Sequence, residues 1–250
     1  MHKPLTKTQI AIVNGQSVFQ YKVKSVSDGM AKSERAIKPS TNEKLGKIVK
    51  KGRLRGAKIY TLTLEERKTC PKSCFHWKDC FGNNMHLAVR YVFDKALLEQ
   101  IERDIEFYND KGKAFLVRLH ILGDFPSVEY VNFWNDLLDK YEHLNVYGYS
   151  AHQLETPIGE ALDDMRDVWD LRFMVRISGD TKTDNMTALS YDDEPARKQI
   201  ETKKAFVCPT QITHKGSTKL ASKTEETLTK NCGTCGLCWT TKLNPIFLTH

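Results

Sequence analysis

Several things are missing from this sequence, and each absence narrows the reading. No stretch approaches the ~20 consecutive apolar residues that a membrane helix needs, so no membrane partner is expected. The opening residues, MHKPLTKTQIAIVNGQ, hold no apolar core followed by a small-residue cleavage site, so no secretory signal is read there. No internal repeat is visible, which leaves out a repeat architecture. Acidic residues are scarce in the first quarter: residues 1–56 hold 3 Asp and Glu against 13 Lys and Arg, a net of +10, and the rest of the chain is net −3. A complete disulfide set is also excluded, because the cysteines number 7. Clustered cysteines without a secretion signal read as metal ligands, and they place the chain in the cytoplasm.

What is present is ordinary in bulk. The chain has 250 residues, 40% hydrophobic and 28% charged, enough to bury one substantial core. The positive charge peaks in KLGKIVKKGRLRG (Lys44–Gly56). Such a run can neutralise phosphates and makes nucleic acid a candidate partner; the alternative is a solvated, partly ordered arm. The sequence therefore divides into a basic N-terminal arm (1–56), an α/β core (57–207) and a C-terminal cysteine-rich segment (208–250). Within the arm, IAIVNGQSVFQYKVK with Asn14-Gly15 reads as a short hairpin.

From Lys58 onward, strands and helices alternate. Strands are expected at Lys58–Leu64, Ala114–Leu122, Asn145–Ser150, Leu171–Ser178 and Ala205–Cys208. Helices are expected at Leu87–Asn109, with a break near Asp94, and at Ser127–Tyr141 and Ile158–Trp169. This order implies right-handed βαβ units and a parallel sheet. The strands are not wholly apolar, as strands covered on both faces would be. Period-2 alternation puts Arg118 and His120 on one side of their strand, Tyr147 and Tyr149 together on the next, and Arg172, Met174, Arg176 and Ser178 together on a third. Polar sides on three successive strands suggest a common polar interior. The expected fold is thus a partial or complete (β/α) barrel of parallel strands holding a polar ligand. The strand C-termini, which carry both cysteine groups and the polar loops, would form its working face.

The cysteines form two groups. TCPKSCFHWKDCFGNN carries Cys70, Cys74 and Cys80 as C-x3-C-x5-C. Three thiolates could wrap one four-iron cluster and leave one iron for a small molecule; zinc completed by His76 or His86 is the alternative. The second group is Cys208-Pro209 followed by Cys232, Cys235 and Cys238 in CGTCGLCW. A C-x2-C-x2-C run with a distant Cys-Pro is a compact iron–sulfur spacing, and structural zinc is its rival. One or two 4Fe-4S clusters are expected, with the pairing open and a leftover ligand place that His86, His120 or His152 could close. Asp124 could orient a substrate, accept a proton or cap the following helix. Asn83 and Asn84 could serve the loop backbone or touch a ligand. Trp239 reads as a shield over Cys238.

Three segments, TCPKSCFHWKDCFGNNM, RLHILGDFPSVEYVNFW and CPTQ…CGTCGLCW, resemble the phage-encoded gene product 88 family over about Asn42–Trp239. That family is similar in layout to radical S-adenosylmethionine enzymes. The resemblance implies cluster ligation by Cys70, Cys74 and Cys80, cofactor contacts near Gly123 and Asp124, and a location in the host cytoplasm. An enzyme of this kind would line its chamber with Arg118, His120, Tyr147, Tyr149 and Arg176, and the basic arm would favour a nucleotide-like substrate. The spacing here departs from the radical-enzyme pattern of C-x3-C-x2-C, and Leu122-Gly123-Asp124 stands where glycine-glycine-glutamate is usual. The competing expectation is a non-catalytic iron–sulfur or zinc protein that binds nucleic acid or a host protein.

Overall fold

The computed structural model describes residues 4–31, 33–179, 187–190, 192, 194–212 and 230–247. The chain opens with helix α1 (Lys7–Asn14), where a hairpin was expected. The reason is a capping box: Thr6 accepts from the backbone of Gln9, whose side chain returns to the Thr6 backbone. Asn14-Gly15 still ends an element, with Gly15 at φ 62 closing the helix as a left-handed cap. Two short strands, β1 (Val23–Lys24) and β4 (Arg90–Tyr91), pair in parallel away from the main sheet.

The main sheet has eight strands in the order β2-β3-β5-β6-β7-β8-β10-β9. These are β2 (Lys38–Pro39), β3 (Lys58–Thr61), β5 (Phe115–Leu119), β6 (Leu144–Ser150), β7 (Phe173–Ser178), β8 (Thr187–Ser190), β9 (Ala205–Val207) and β10 (Asn244–Phe247). All neighbours run parallel except β2, which pairs antiparallel with β3. The sheet is open, with β2 and β9 at its edges, so the expected barrel does not close.

Between the strands lie α2 (Lys95–Asn109), α3 (Val128–Lys140) and α4 (Pro157–Trp169). Each starts on a side-chain cap: Asp94 to Leu97 N, Ser127 to Tyr130 N and Thr156 to Gly159 N. The Asp94 cap also explains why the long amphipathic stretch from Leu87 breaks there. Helix α5 (Glu194–Glu201) precedes β9, and short helical turns α6 (Pro209–Ile212) and α7 (Cys232–Cys235) follow it. No helix among the described residues is long and apolar enough to cross a membrane.

Strands β3, β5, β6 and β7 lie side by side in chain order. Crossovers that always step the same way put their connecting helices, α2, α3 and α4, on one face. Accordingly Tyr60, Val117, Leu119, Val146, Phe173 and Val175 share one buried cluster with α2, α3 and α4. The alternate residues Ile59, Leu116, Tyr147 and Met174 point the other way. That second face is covered by Val49, Leu54 and Ala57 from the basic segment and by Cys238 and Trp239 from the C-terminus. The face expected to be a polar interior is therefore covered by the chain itself, with the basic segment anchored to it through Val49, Leu54 and Ala57.

Candidate metal centres

The first thiol group hangs on a charged scaffold that the sequence did not advertise. Immediately after β3, Glu65, Glu66 and Arg67 are all buried. Glu66 forms a buried ion pair with Arg90, at 2.9 Å from Nε and 3.2 Å from Nη2. Arg90 also donates to the carbonyls of Gly82, Met85 and Ala88. Arg67 donates to Trp77 O, Gln16 O and Asn83 Oδ1, so both ends of the cysteine loop and the preceding α1 turn are tied together. Glu65 receives Ser17 N and the Gln20 amide. Gly82 has no room for a side chain, since an added Cβ would lie 2.5 Å from Glu66 Oε1.

This scaffold carries Cys70, Cys74 and Cys80 on one loop, where the Cys70 thiol feels the charge of the other two. The Cys70 thiol is pushed up first by burial, then by the neighbouring Asp124 carboxylate and by the Cys74 and Cys80 sulfurs. Burial likewise raises Cys74 and Cys80. Against this, each sulfur has a backbone hydrogen bond that favours its thiolate, at Arg67, His76 and Gly82 respectively. Asp124 sits behind them, buried, with Oδ1 accepting from Phe125 N and Oδ2 from Ala151 N at 2.7 Å. Its own N–H donates to Thr69 Oγ1. Burial raises its carboxyl, while His152 and these donors pull it back. Asp124 thus clamps the ends of β5 and β6 to the cysteine loop. Gly123, at φ 83, is needed for that approach: a Cβ there would fall 2.6 Å from Leu64 Cβ.

Several of the other residues singled out near this group are engaged in the fold. Asn83 serves Arg67 and Lys78 O, and Asn84 is exposed. His76 pairs with Asp79 at 3.3 Å, His86 is exposed, and His152 Nε2 lies 2.9 Å from Phe125 O. Strand β5 ends at Leu119, so the alternation stops before His120. His120 lies with the helix-side core, stacked on Tyr130 with Nε2 3.2 Å from its hydroxyl, and away from Arg118. Arg118 instead packs over the rings of Tyr147 and Tyr149. The shared face expected for Arg118 and His120 is thereby corrected.

The second group lies under the sheet face opposite α2, α3 and α4. Cys208 follows β9, and its N–H donates to Ile246 O. Cys232 and Cys235 ride on α7, which is capped by reciprocal bonds between Asn231 and Thr234. Gly236, at φ 73, turns the chain to Cys238 and Trp239. The basic segment holds this turn in place: Cys232 N donates to Lys44 O, Gly233 N to Leu45 O, and Lys50 N to Gly233 O. The four cysteines lie close enough to feel one another's charge. Burial raises Cys232, and Cys238, Cys208 and Cys235 raise it further. Burial pushes Cys238 up to about 11 despite Arg176 and Tyr149 beside it. Tyr149 donates its hydroxyl to Cys238 Sγ at 3.1 Å. Arg118 lies near Cys232, and Arg176 donates to the carbonyls of Cys238 and Thr241.

Two buried donors next to these thiols have no partner among the described residues: Tyr147 Oη and Trp239 Nε1. Their rings meet at 4.9 Å. An orphaned buried donor is costly, so a pair of them beside four thiols marks a place for an acceptor. None of the seven cysteines forms a disulfide. Among the described residues, no three His, Cys, Asp or Glu side chains converge as a single-ion site does. Asp180, which follows the fourth expected strand, lies outside the described residues.

Neither a curated protein nor a solved structure matches the chain. The family described as Gene product 88 matches residues 31–241, a span that takes in both cysteine groups and the sheet that carries them. The chain belongs to the phage Gene product 88 family.

Proposed function

We propose that the protein is an iron–sulfur protein with two thiolate-bound centres of different character. Cys208, Cys232, Cys235 and Cys238 would hold a buried four-iron cluster that fastens the C-terminal segment to the sheet. Cys70, Cys74 and Cys80 would hold a second at the rim, with one iron left for a small molecule. The observation that carries the reading is the pair of partnerless buried donors, Tyr147 Oη and Trp239 Nε1, beside the four thiols. Cluster sulfides are acceptors, and donors of this kind tune a cluster. Arg118 and Arg176 supply positive charge against a centre of four thiolates. The C-x2-C-x2-C spacing favours iron–sulfur over zinc.

Residues once expected to line a substrate chamber, Arg118, Tyr147, Tyr149 and Arg176, serve this centre instead. Any reaction then belongs to the rim group. Reductive cleavage of S-adenosylmethionine at its open iron is the enzyme reading, supported by three thiols at a strand C-terminus but by no visible chamber.

The test is anaerobic purification with iron, sulfide and zinc counted in three proteins: the wild type, Cys70→Ala/Cys74→Ala and Cys235→Ala/Cys238→Ala. About eight irons and eight sulfides, falling by half in each variant, is the expected result. Zinc without sulfide would replace the iron reading, and a metal-free preparation would end it. Formation of 5′-deoxyadenosine under dithionite, lost in Cys70→Ala/Cys74→Ala, decides the enzyme reading.

A further inference from the structure

A groove of about 760 Å³ lies at the β2–β3 edge of the sheet, walled by the end of α2. It belongs to neither thiol group. Its lining contains four cations, Arg35, Lys47, Lys58 and Lys111, and no carboxylate. Arg35 lies 3.6 Å from Asp104 behind the wall. Lys47, Lys58 and Lys111 have no acidic partner among the described residues. Phe107 gathers two of the cations, with the Arg35 guanidinium 4.2 Å and the Lys111 ammonium 4.1 Å from its ring centre. Like charges held this close repel. The Lys111 ammonium is lowered first by desolvation and then by Lys58 and Arg35.

Two more features point to an occupant. Ser40 lines the groove, is 1% exposed, and its Oγ has no hydrogen-bond partner among the described residues. Ile48 and Phe107, also in the lining, are 37% and 44% exposed. The cavity thus brings apolar surface, an orphaned hydroxyl and unpaired positive charge around one concave volume of ligand size.

We propose that this groove binds a phosphorylated nucleoside, either free or as one unit of a single strand. The base packs on Ile48 and the free edge of Phe107, whose ring faces hold Arg35 and Lys111 in place, and the phosphate sits among Arg35, Lys58 and Lys111. Ser40 Oγ bonds a polar atom of the base or sugar. Apolar contact to a base with phosphate neutralisation beside it is how single strands are held without sequence preference. The basic run Lys44–Gly56 contributes only Lys47 and Ile48 to the groove. Arg53 in that run is committed to Asn145 Oδ1 and Leu171 O.

The experiment uses the full chain as purified, with its metal content recorded, and a fluorescein-labelled dT12 strand followed by anisotropy. Lys58→Glu/Lys111→Glu replaces two exposed side chains, and Lys24→Glu/Lys95→Glu is the control with the same charge change elsewhere. The groove variant should weaken binding by about tenfold or more at 0.1 M salt, and the control by less than about threefold. The slope of log K against log salt should fall by about 1.4 in the groove variant alone, roughly 0.7 for each phosphate that is no longer neutralised. Phe107→Ala should weaken the strand while leaving competition by inorganic pyrophosphate unchanged. Competition by a mononucleotide means a free nucleotide fits, and no competition means that the strand is the ligand; both agree with the proposal. Equal losses in both charge variants, equal binding of a blunt duplex, or equal binding of polyglutamate would each overturn it. Because the assay reads no iron, its failure leaves the thiol centres untouched.

Discussion

Replacing Arg90 by Met should loosen the rim cysteine loop while leaving the rest of the fold intact. Arg90 and Glu66 have 0% and 1% side-chain exposure, and the guanidinium makes two bonds to the carboxylate and three to the carbonyls of Gly82, Met85 and Ala88. Methionine fills much of the space but satisfies none of these acceptors. The Glu66 carboxylate would keep only Ser17 Oγ, at 2.8 Å. Removing one partner of a buried pair costs about 3–5 kcal/mol, because the remaining charge is stranded away from water. For a chain of this size that is a fall in Tm of about 6–20 °C. The double variant Glu66→Leu/Arg90→Met should cost at least ~1 kcal/mol less than the two single changes added together, since it strands no charge. Thermal unfolding followed by circular dichroism gives these numbers. The proposed clusters add a functional reading: Arg90→Met should lose the one assigned to Cys70, Cys74 and Cys80 before the one assigned to the C-terminal group. A cost below ~1 kcal/mol, or equal loss from both groups, would refute the idea that this pair holds the loop.

Burial, and after it the charge of Arg118, holds the His120 imidazole down at about 3 against an ordinary 6.5. Between those values the unfolded chain binds the extra proton, so stability must fall as pH drops below 6.5, by something of the order of 4 kcal/mol at the acid end. His120→Gln should remove that decline, and parallel Tm curves for the two proteins from pH 7 to 4 would contradict it. Gly148→Ala should fail to give soluble protein, because the new Cβ would lie 1.7 Å from Leu119 O on the adjacent strand; soluble protein with an unchanged Tm would be the contrary result. Tyr149→Phe removes the hydroxyl donor 3.1 Å from Cys238 Sγ, worth about 1 kcal/mol, and should speed chelator stripping of the C-terminal centre about fivefold with the rim centre unaffected.

The parts of the fold that could be read in the sequence were those set by local period and local caps. Alternation along β6 and β7 placed Tyr147 with Tyr149 and Met174 with Arg176, and both pairs share a face in the structure; along β5 it failed for His120, which lies beyond the strand end. Asp94 broke the long helical stretch because its carboxylate is a better cap than an interior residue. What escaped reading depended on distant partners. β10 is only Asn244–Phe247 and becomes a strand by sliding between β8 and β9, a pairing without a local signature. The charged triplet Glu65, Glu66 and Arg67 resembles any solvated turn until Arg90 and Ser17 are brought to it. The groove escaped for the same reason: Arg35, Lys58 and Lys111 are far apart in the chain, and their charge density becomes visible only once β3 and α2 are folded together.

A sheet wound in one direction leaves one face without helices, and that face must be covered by something. Here the covering consists of two segments from opposite ends of the chain. Val49, Leu54 and Ala57 supply modest apolar area, and the C-terminal turn adds little beyond Trp239. Backbone bonds between Lys44–Lys50 and Cys232–Gly233 join the two. Such a thin layer buries few large side chains, so its hydrophobic contribution is small by the standard of the helix side. Four thiols at its centre, under Tyr147 and Tyr149, are where a cross-link would fix both segments to β6 and β7 at once. On the proposed reading, a buried cluster there would substitute for missing core. Stripping it should expose Leu116, Tyr147 and Met174 without disturbing α2, α3 and α4, whose packing draws on the opposite face.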